Sequence, residues 1–470
     1  MRNIVPYLAC AFLALGAISC EDFLTREPPL QTTNELALSS FDGLVAATYG
    51  AYTPLYSSSW YGRNFTVTSD LKGGNSKASP INTGRFRYDY TWTNNGSYTS
   101  QVWTPAYRAI NRANNILEHA DLLDDPGVSQ QEIDQLKGEC LYIRALSHFD
   151  LVRSYCQPYS YDPGSPGVPV ILKSELSFPS RGTVEEVFTQ IVSDLEESIP
   201  MLHVTSRNSG DNGSDAAVAN RYSSMALLAK VSLYMENWQE AADYANEVIQ
   251  AGYTLYNEDE YGNAWGQSAA SEVIFEVFGK DGQGYYPGFD EIGYIYDPNG
   301  YGDVCATDDL LSLFEAGDVR GMVFKGHPDY PGYSWPDKYP GKTHIRENNI
   351  PVLRLAEMYL IRAEATLNGA SGYDALSDYN EIRTHRGLQG ATGVSLQDIY
   401  DERRRELCFE GNQLWDLSRT GRDLDRDENE IQISEMDNID IAFPDYRWAL
   451  PIPQRETEVN PNLEPNPTSN

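Results

Sequence analysis

The chain has 470 residues, 35 basic against 68 acidic, for a formal net charge of −33. A surface so negative repels a phosphate backbone, which weighs against nucleic acid as a partner. Six cysteines with no C-x-x-C pair make no disulfide framework and no cysteine zinc site, so buried free thiols are the plainer reading.

Aromatic usage is skewed, with 32 Tyr and 8 Trp against 15 Phe. Tyr and Trp carry a polar handle on an apolar face, which favours wet interfaces and ligand surfaces over dry cores.

The N-terminus reads as an export signal. Arg2 supplies the positive start, an apolar run follows from Ile4 to Ile18, and Gly16-Ala17-Ile18-Ser19 leads into Cys20. The run is short for a spanning helix, and a cysteine at the cleavage position is the acceptor of a lipid anchor, although Ala17 stands where Leu is commoner. Residues 1–19 are therefore expected to be removed, and 20–470 to form a single lipid-anchored domain. No later stretch is long and uncharged enough to span a bilayer.

Helical periodicity then recurs in pairs. Residues 104–120 place Ala106, Tyr107, Ile110, Ala113, Asn114 and Leu117 on one face, and 131–155 repeat the pattern with Leu136, Cys140, Ile143, Leu146, Ser147 and Leu151. Thr183 reads as an N-cap before Val187, Ile191 and Leu195, with Pro200 as the stop. Two later pairs, 218–236 with 238–251 and 351–368 with 373–386, have the small crossing residues and tight turns of tetratricopeptide hairpins. Arg354 with Glu357, and Arg403 with Glu406, are spaced to pair on helix faces as structural charges. The expected fold is mainly α, a helical-hairpin scaffold over 36–252 and 351–420 with few short strands. Loop-rich insertions interrupt it at 56–103 and 253–350, where Val273 to Phe278 is the one clear strand. A hundred-residue block without helical periodicity exceeds ordinary connections, so function is its expected justification.

Several blocks, in order, carry a family resemblance: Cys20-Glu21-Asp22-Phe23-Leu24, Trp103 to Asn115, Gly138 to Tyr155, Arg181 to Val184, Pro351 to Asn368, Asn380 to Leu388, Glu402 to Gly421 and Leu450-Pro451-Ile452-Pro453. Together they resemble the SusD/RagB family of outer-membrane nutrient-binding lipoproteins of Bacteroidota. The resemblance implies four tetratricopeptide-like units and a SusC-type TonB-dependent transporter as partner, over which the lipoprotein sits as a lid. It also implies capture and delivery of a glycan, and a lipid tether at Cys20 facing the cell surface. The RagB branch makes a peptide ligand the alternative, and a scaffold without its own ligand is a further one.

Glycan binding needs aromatic faces for sugar rings and polar groups for hydroxyls. Two loop clusters supply both. The first holds Trp60, Tyr61, Asp70, Lys77, Trp92, Asn94, Asn95 and Tyr98. The second holds Trp265, Tyr285, Tyr286, Tyr294, Tyr296, Tyr301, Tyr330, Tyr333, Trp335 and Tyr339. Of these, Trp60, Asp70, Lys77, Trp92, Asn94, Tyr98, Trp265, Tyr286, Tyr296 and Trp335 are the expected ligand contacts. No catalytic motif is present, the six histidines are scattered, and His148 reads as packed. No cofactor or metal is expected. Asp423-Leu-Asp425-Arg-Asp427 starts like a calcium loop but has Glu428 and Ser434 where the geometry wants Gly and Glu.

Overall fold

The computed structural model describes residues 37–94, 102–207, 215–268, 270–279, 288–426 and 440–468. Cys20, Asn95, Tyr98, Tyr285, Tyr286 and Asp427 lie outside the described residues.

The main scaffold helices form where apolar spacing and caps predict them, while the helix Asn64–Lys72 and shorter ones arise inside the stretches expected to be loops. Helix α1 (Phe41–Tyr52) is capped by Ser40, and α2 (Asn64–Lys72) follows within the first insertion. Helix α3 (Trp103–Ala120) packs on α4 (Gln130–Tyr155), which starts in a capping box between Ser129 and Glu132. Most of α4 is buried on all sides, which makes it the central helix rather than an amphipathic surface one. Gly138 allows its close crossing with the following helix, because a Cβ there would lie 2.9 Å from Leu202 Cγ.

That helix, α5 (Val184–Met201), opens with the Thr183–Glu186 capping box. It runs through Pro200 instead of stopping there. The residue sits in the last turn, and the chain leaves the helix two residues later at Leu202.

Helices α6 (Arg221–Tyr234) and α7 (Trp238–Ile249) form the first expected hairpin, with Ala226, Ala229, Ala241, Ala242 and Ala245 fully buried. The turn is made by Glu236 at φ 60°. The second hairpin, α10 (Leu355–Leu367) with α11 (Ala375–His385), turns at Gly369 and Gly372, both at positive φ. Helix α7 packs on α10, so the two hairpins stack. Helices α12 (Leu396–Leu407) and α13 (Gln413–Arg419) follow. Among the described residues no helix is long and apolar enough to cross a membrane.

Among the described residues strands are few and short, in three antiparallel pairs. Strand β1 (Ser76–Ala78) pairs with β3 (Val304–Ala306), β2 (Val273–Val277) with β6 (Ile350–Arg354), and β4 (Phe324–His327) with β5 (Tyr330–Pro336). Residues 351–354, expected as the first turn of a helix, are the end of β6. Two further short helices, α8 (Ile292–Tyr296) and α9 (Asp308–Ser312), lie in the second insertion. One hydrophobic core cluster runs from Leu38 to Leu463. Cys140, Cys156, Cys305 and Cys408 are free and buried.

A buried ionic network clamps the second insertion to the scaffold. Glu406 on α12 accepts from Arg320 (3.2 Å), Arg354 (3.1 Å) and Arg386 (2.9 Å). Arg354 also binds Glu272 and Glu410, and Arg320 also binds Asp318 and Glu402. The expected short-range pairs do not form. Arg354 precedes its helix, while Glu357 pairs with Lys230 and Arg403, and Arg403 also reaches Asp416. These charges are structural, but they tie distant elements together.

Candidate ligand-binding surface

The two insertions meet. Lys77 in β1 lies opposite Cys305 in β3. Beyond β1, Asp303 accepts from the Thr83 amide at 2.9 Å and from Arg85 at 3.1 Å. The Ile292 amide donates to the Gly62 carbonyl at 3.1 Å, and Arg63 pairs with Asp290 at 2.9 Å.

At this junction stands a ridge of partly exposed rings. Tyr294 on α8 and Tyr301 in the next loop are half-buried, with centroids 4.9 Å apart and nearly perpendicular planes. Phe289 stands 5.4 Å from Tyr294 and is 57% exposed, among the most open aromatics of the chain. The Arg85 guanidinium lies 3.7 Å from the Tyr301 centroid, and Arg346 lies 4.5 Å from that of Phe289. Rings set edge to face, flanked by guanidinium and carboxylate groups, offer both apolar faces and hydroxyl partners.

Buried groups hold the ridge in place. Glu291 caps α8, accepting from the Gly293 amide at 2.7 Å and from Asn348 Nδ2 at 3.0 Å. Asn348 in turn accepts from the Gly341 amide at 2.7 Å. Gly293 is packed so closely that a Cβ would fall 2.4 Å from the Ile345 carbonyl oxygen. Burial pushes the Glu291 carboxyl up to about 8, against the opposing hydrogen bonds.

A second pair of half-buried rings, Tyr330 and Tyr333, lies on β5. The Lys77 ammonium lies 5.8 Å from the Tyr333 ring and 3.6 Å from Asp308 at the start of α9. Asp308 belongs to the wall of a polar cleft of about 640 Å³ between Gly73-Gly74, α9, α12, α13 and residues 422–426. Another groove, of about 360 Å³, lies beside Tyr222 and Tyr253.

Most of the expected contact residues are packed inside the protein instead. Trp60 is fully buried, and its indole N–H donates to Asp150 at 2.6 Å. Asp70 accepts from Asn75 and from the Phe409 and Gly411 amides, and burial pushes its carboxyl up to about 6. Trp92, at φ 52°, is fully buried edge-to-face on Trp448, with the Lys72 ammonium 4.2 Å from its ring. Asn94 donates to the Arg447 and Ala449 carbonyls. Trp265 is buried beneath Lys338 and Arg354, Tyr296 stacks on buried Tyr339, and Trp335 donates to the Gly302 carbonyl. A ring covered on both faces cannot stack on a sugar, so these residues support the loops. Lys77 is buried too, with its charge turned to Asp308 and Tyr333. His148 is packed: burial lowers it to about 3, and Nε2 accepts from the Ile171 amide.

Sequence reasoning passed over Phe289, Arg85 and Asp303. Their signal is weak, since only the folded chain brings residues 83–85 against 289–303.

The fold is a tetratricopeptide-like helical scaffold that carries an aromatic ridge on its insertions. Residues 22–235 match a family model described as "Starch-binding associating with outer membrane", and residues 320–468 match the SusD family model. The two matches span most of the chain, which belongs to the SusD/RagB family. It is similar to a SusD-like protein of Formosa agariphila, at 25% identity covering 100% of this chain and 99% of the relative. Among solved structures it is similar to a putative sugar binding protein of Bacteroides vulgatus, at 29% identity and TM-score 0.82, covering 91% of this chain and 98% of that one. A SusD superfamily protein of Bacteroides thetaiotaomicron matches at the same identity and TM-score, with all of its length covered.

Proposed function

We propose that the protein is a non-catalytic surface lipoprotein. It captures an oligo- or polysaccharide on the Phe289–Tyr294–Tyr301 ridge and delivers it to a SusC-type TonB-dependent outer-membrane transporter. The observation that carries the ligand site is the cluster of partly exposed rings flanked by Arg85 and Arg346 where the two insertions join. Family membership and its outer-membrane-associated, starch-binding description support the glycan class and the location. The sugar-binding description of the Bacteroides vulgatus neighbour supports the ligand class as well. The lipid tether at Cys20, outward orientation and the transporter partner rest on the sequence of the N-terminus and on the family. The domain reading is one binding unit, 20–470, whose insertions at 56–103 and 253–350 carry the ligand.

Calorimetry of the soluble domain against a panel of polysaccharides and peptides tests the reading. At least one glycan should bind without being cleaved, and Tyr301→Ala should weaken it by roughly tenfold, the cost of losing one stacked ring at about 1.4 kcal/mol. Binding to peptides alone, or release of shorter sugars, would contradict it.

A further inference from the structure

The polar cleft beside Lys77 has a chemistry unlike that of the ridge. Among the described residues no aromatic ring lines it. Its wall combines Asp308, Asp309, Asp401, Asp423 and Asp425 with Arg404, Arg422 and Arg426, so five carboxylates face three guanidinium groups. Several of these are already engaged. Asp309 pairs with Arg404 at 2.7 Å, Asp308 with Lys77, and Arg426 donates to the Tyr90 and Leu71 carbonyls.

What remains is a mixed set. Gln413, at the start of α13, is only 7% exposed, yet its side-chain amide has no hydrogen bond among the described residues and it lines the cleft. Its amide atoms remain accessible from the cleft, where a ligand hydroxyl can take the place of water. Arg422 spends one N–H on Thr420 at 2.8 Å and lies 4.2 Å from the Tyr400 ring, with no ion pair among the described residues. Asp401 has one oxygen taken by Gln397 at 2.8 Å, and Asp423 has one taken by the Phe443 amide at 2.6 Å.

We propose that this cleft is a second saccharide subsite, which holds neutral sugar units by hydrogen bonds alone. The proposal rests on the glycan reading above. A sugar hydroxyl donates and accepts at once, so it can give its proton to Asp401 or Asp423 and receive one from Gln413 or Arg422. A net-negative wall on a chain of charge −33 disfavours uronate and sulfate groups, which sets the class. The β1 ribbon links this subsite to the ridge, since Lys77 touches the cleft wall through Asp308 and the chain continues from β1 to Arg85.

The test titrates wild type, Tyr301→Ala, Gln413→Met/Asp401→Asn and the combined variant with neutral oligosaccharides. Uronic-acid oligosaccharides of matched length serve as the control, and thermal melts confirm that each variant is folded. Tyr301→Ala should keep weak binding of the neutral sugars. Adding the cleft substitutions should weaken that residual binding by roughly tenfold, as loss of one or two hydrogen bonds would. The uronic-acid sugars should not bind Tyr301→Ala. The subsite is overturned if the cleft substitutions leave residual binding unchanged, if Tyr301→Ala has none, or if uronic-acid sugars bind it better. Equal binding by wild type and Tyr301→Ala, lost with the cleft substitutions, would sink the ridge and leave the cleft standing. No neutral sugar bound by wild type would overturn both.

Discussion

At the scale of single residues, burial decides which aromatic can meet a ligand. Trp92 and Tyr301 sit in equally promising stretches of sequence, but Trp92 is enclosed by Trp448 and Lys72, whereas Tyr301 keeps part of its surface open. Composition showed that Tyr and Trp are in excess; it could not show which way a ring in a loop turns, because no periodicity constrains loop side chains. Glu291 gives the residue-scale prediction. Its carboxyl stands near 8 in the folded protein, above the usual carboxylate value of 4.5. The folded state therefore holds the proton longer, and stability contributed at low pH is lost as pH rises from about 4.5 to about 8. Glu291→Gln, which cannot ionise, should gain melting temperature relative to wild type across that window and hold a constant difference above it. Melting curves over pH check this, and a difference independent of pH would count against a protonated Glu291.

At the scale of elements, the helices were legible because their patterns are local. The Thr183 cap, the alanine-lined α6–α7 hairpin and the Gly369 and Gly372 turn were all readable within a few residues. Apart from Pro200, which the last turn of α5 accommodates, the failures have one cause, pairing over long sequence distance. Residues 351–354 became β6 because β2 offers an edge, and β1 exists only because β3 lies beside it. Likewise Arg354 and Arg403 found distant carboxylates in place of near ones. The Glu406 hub should matter accordingly. Glu406→Ala would leave Arg320, Arg354 and Arg386 short of a buried counter-charge and should cost about 3–5 kcal/mol, enough to loosen the second insertion. Denaturant titration measures it, and a loss under about 1 kcal/mol would mean that the neighbouring carboxylates suffice.

At the scale of the molecule, the helical scaffold carries the two insertions. Ordered blocks from Cys20 to Pro453 made the family legible without coordinates. The insertion surface was not, since it arises where residues 62–85 meet residues 288–303, and neither stretch contains the other's address. The Glu291–Asn348 bond holds the second insertion's side of that meeting, and the Glu406 hub ties the same insertion to the scaffold. The most direct test is a structure of the soluble domain with the glycan that calorimetry selects. Sugar rings should lie against Tyr294, Tyr301 or Phe289, with Arg85 or Arg346 within hydrogen-bonding reach. A glycan bound only in the groove beside Tyr222 and Tyr253, with the ridge bare, would contradict the account.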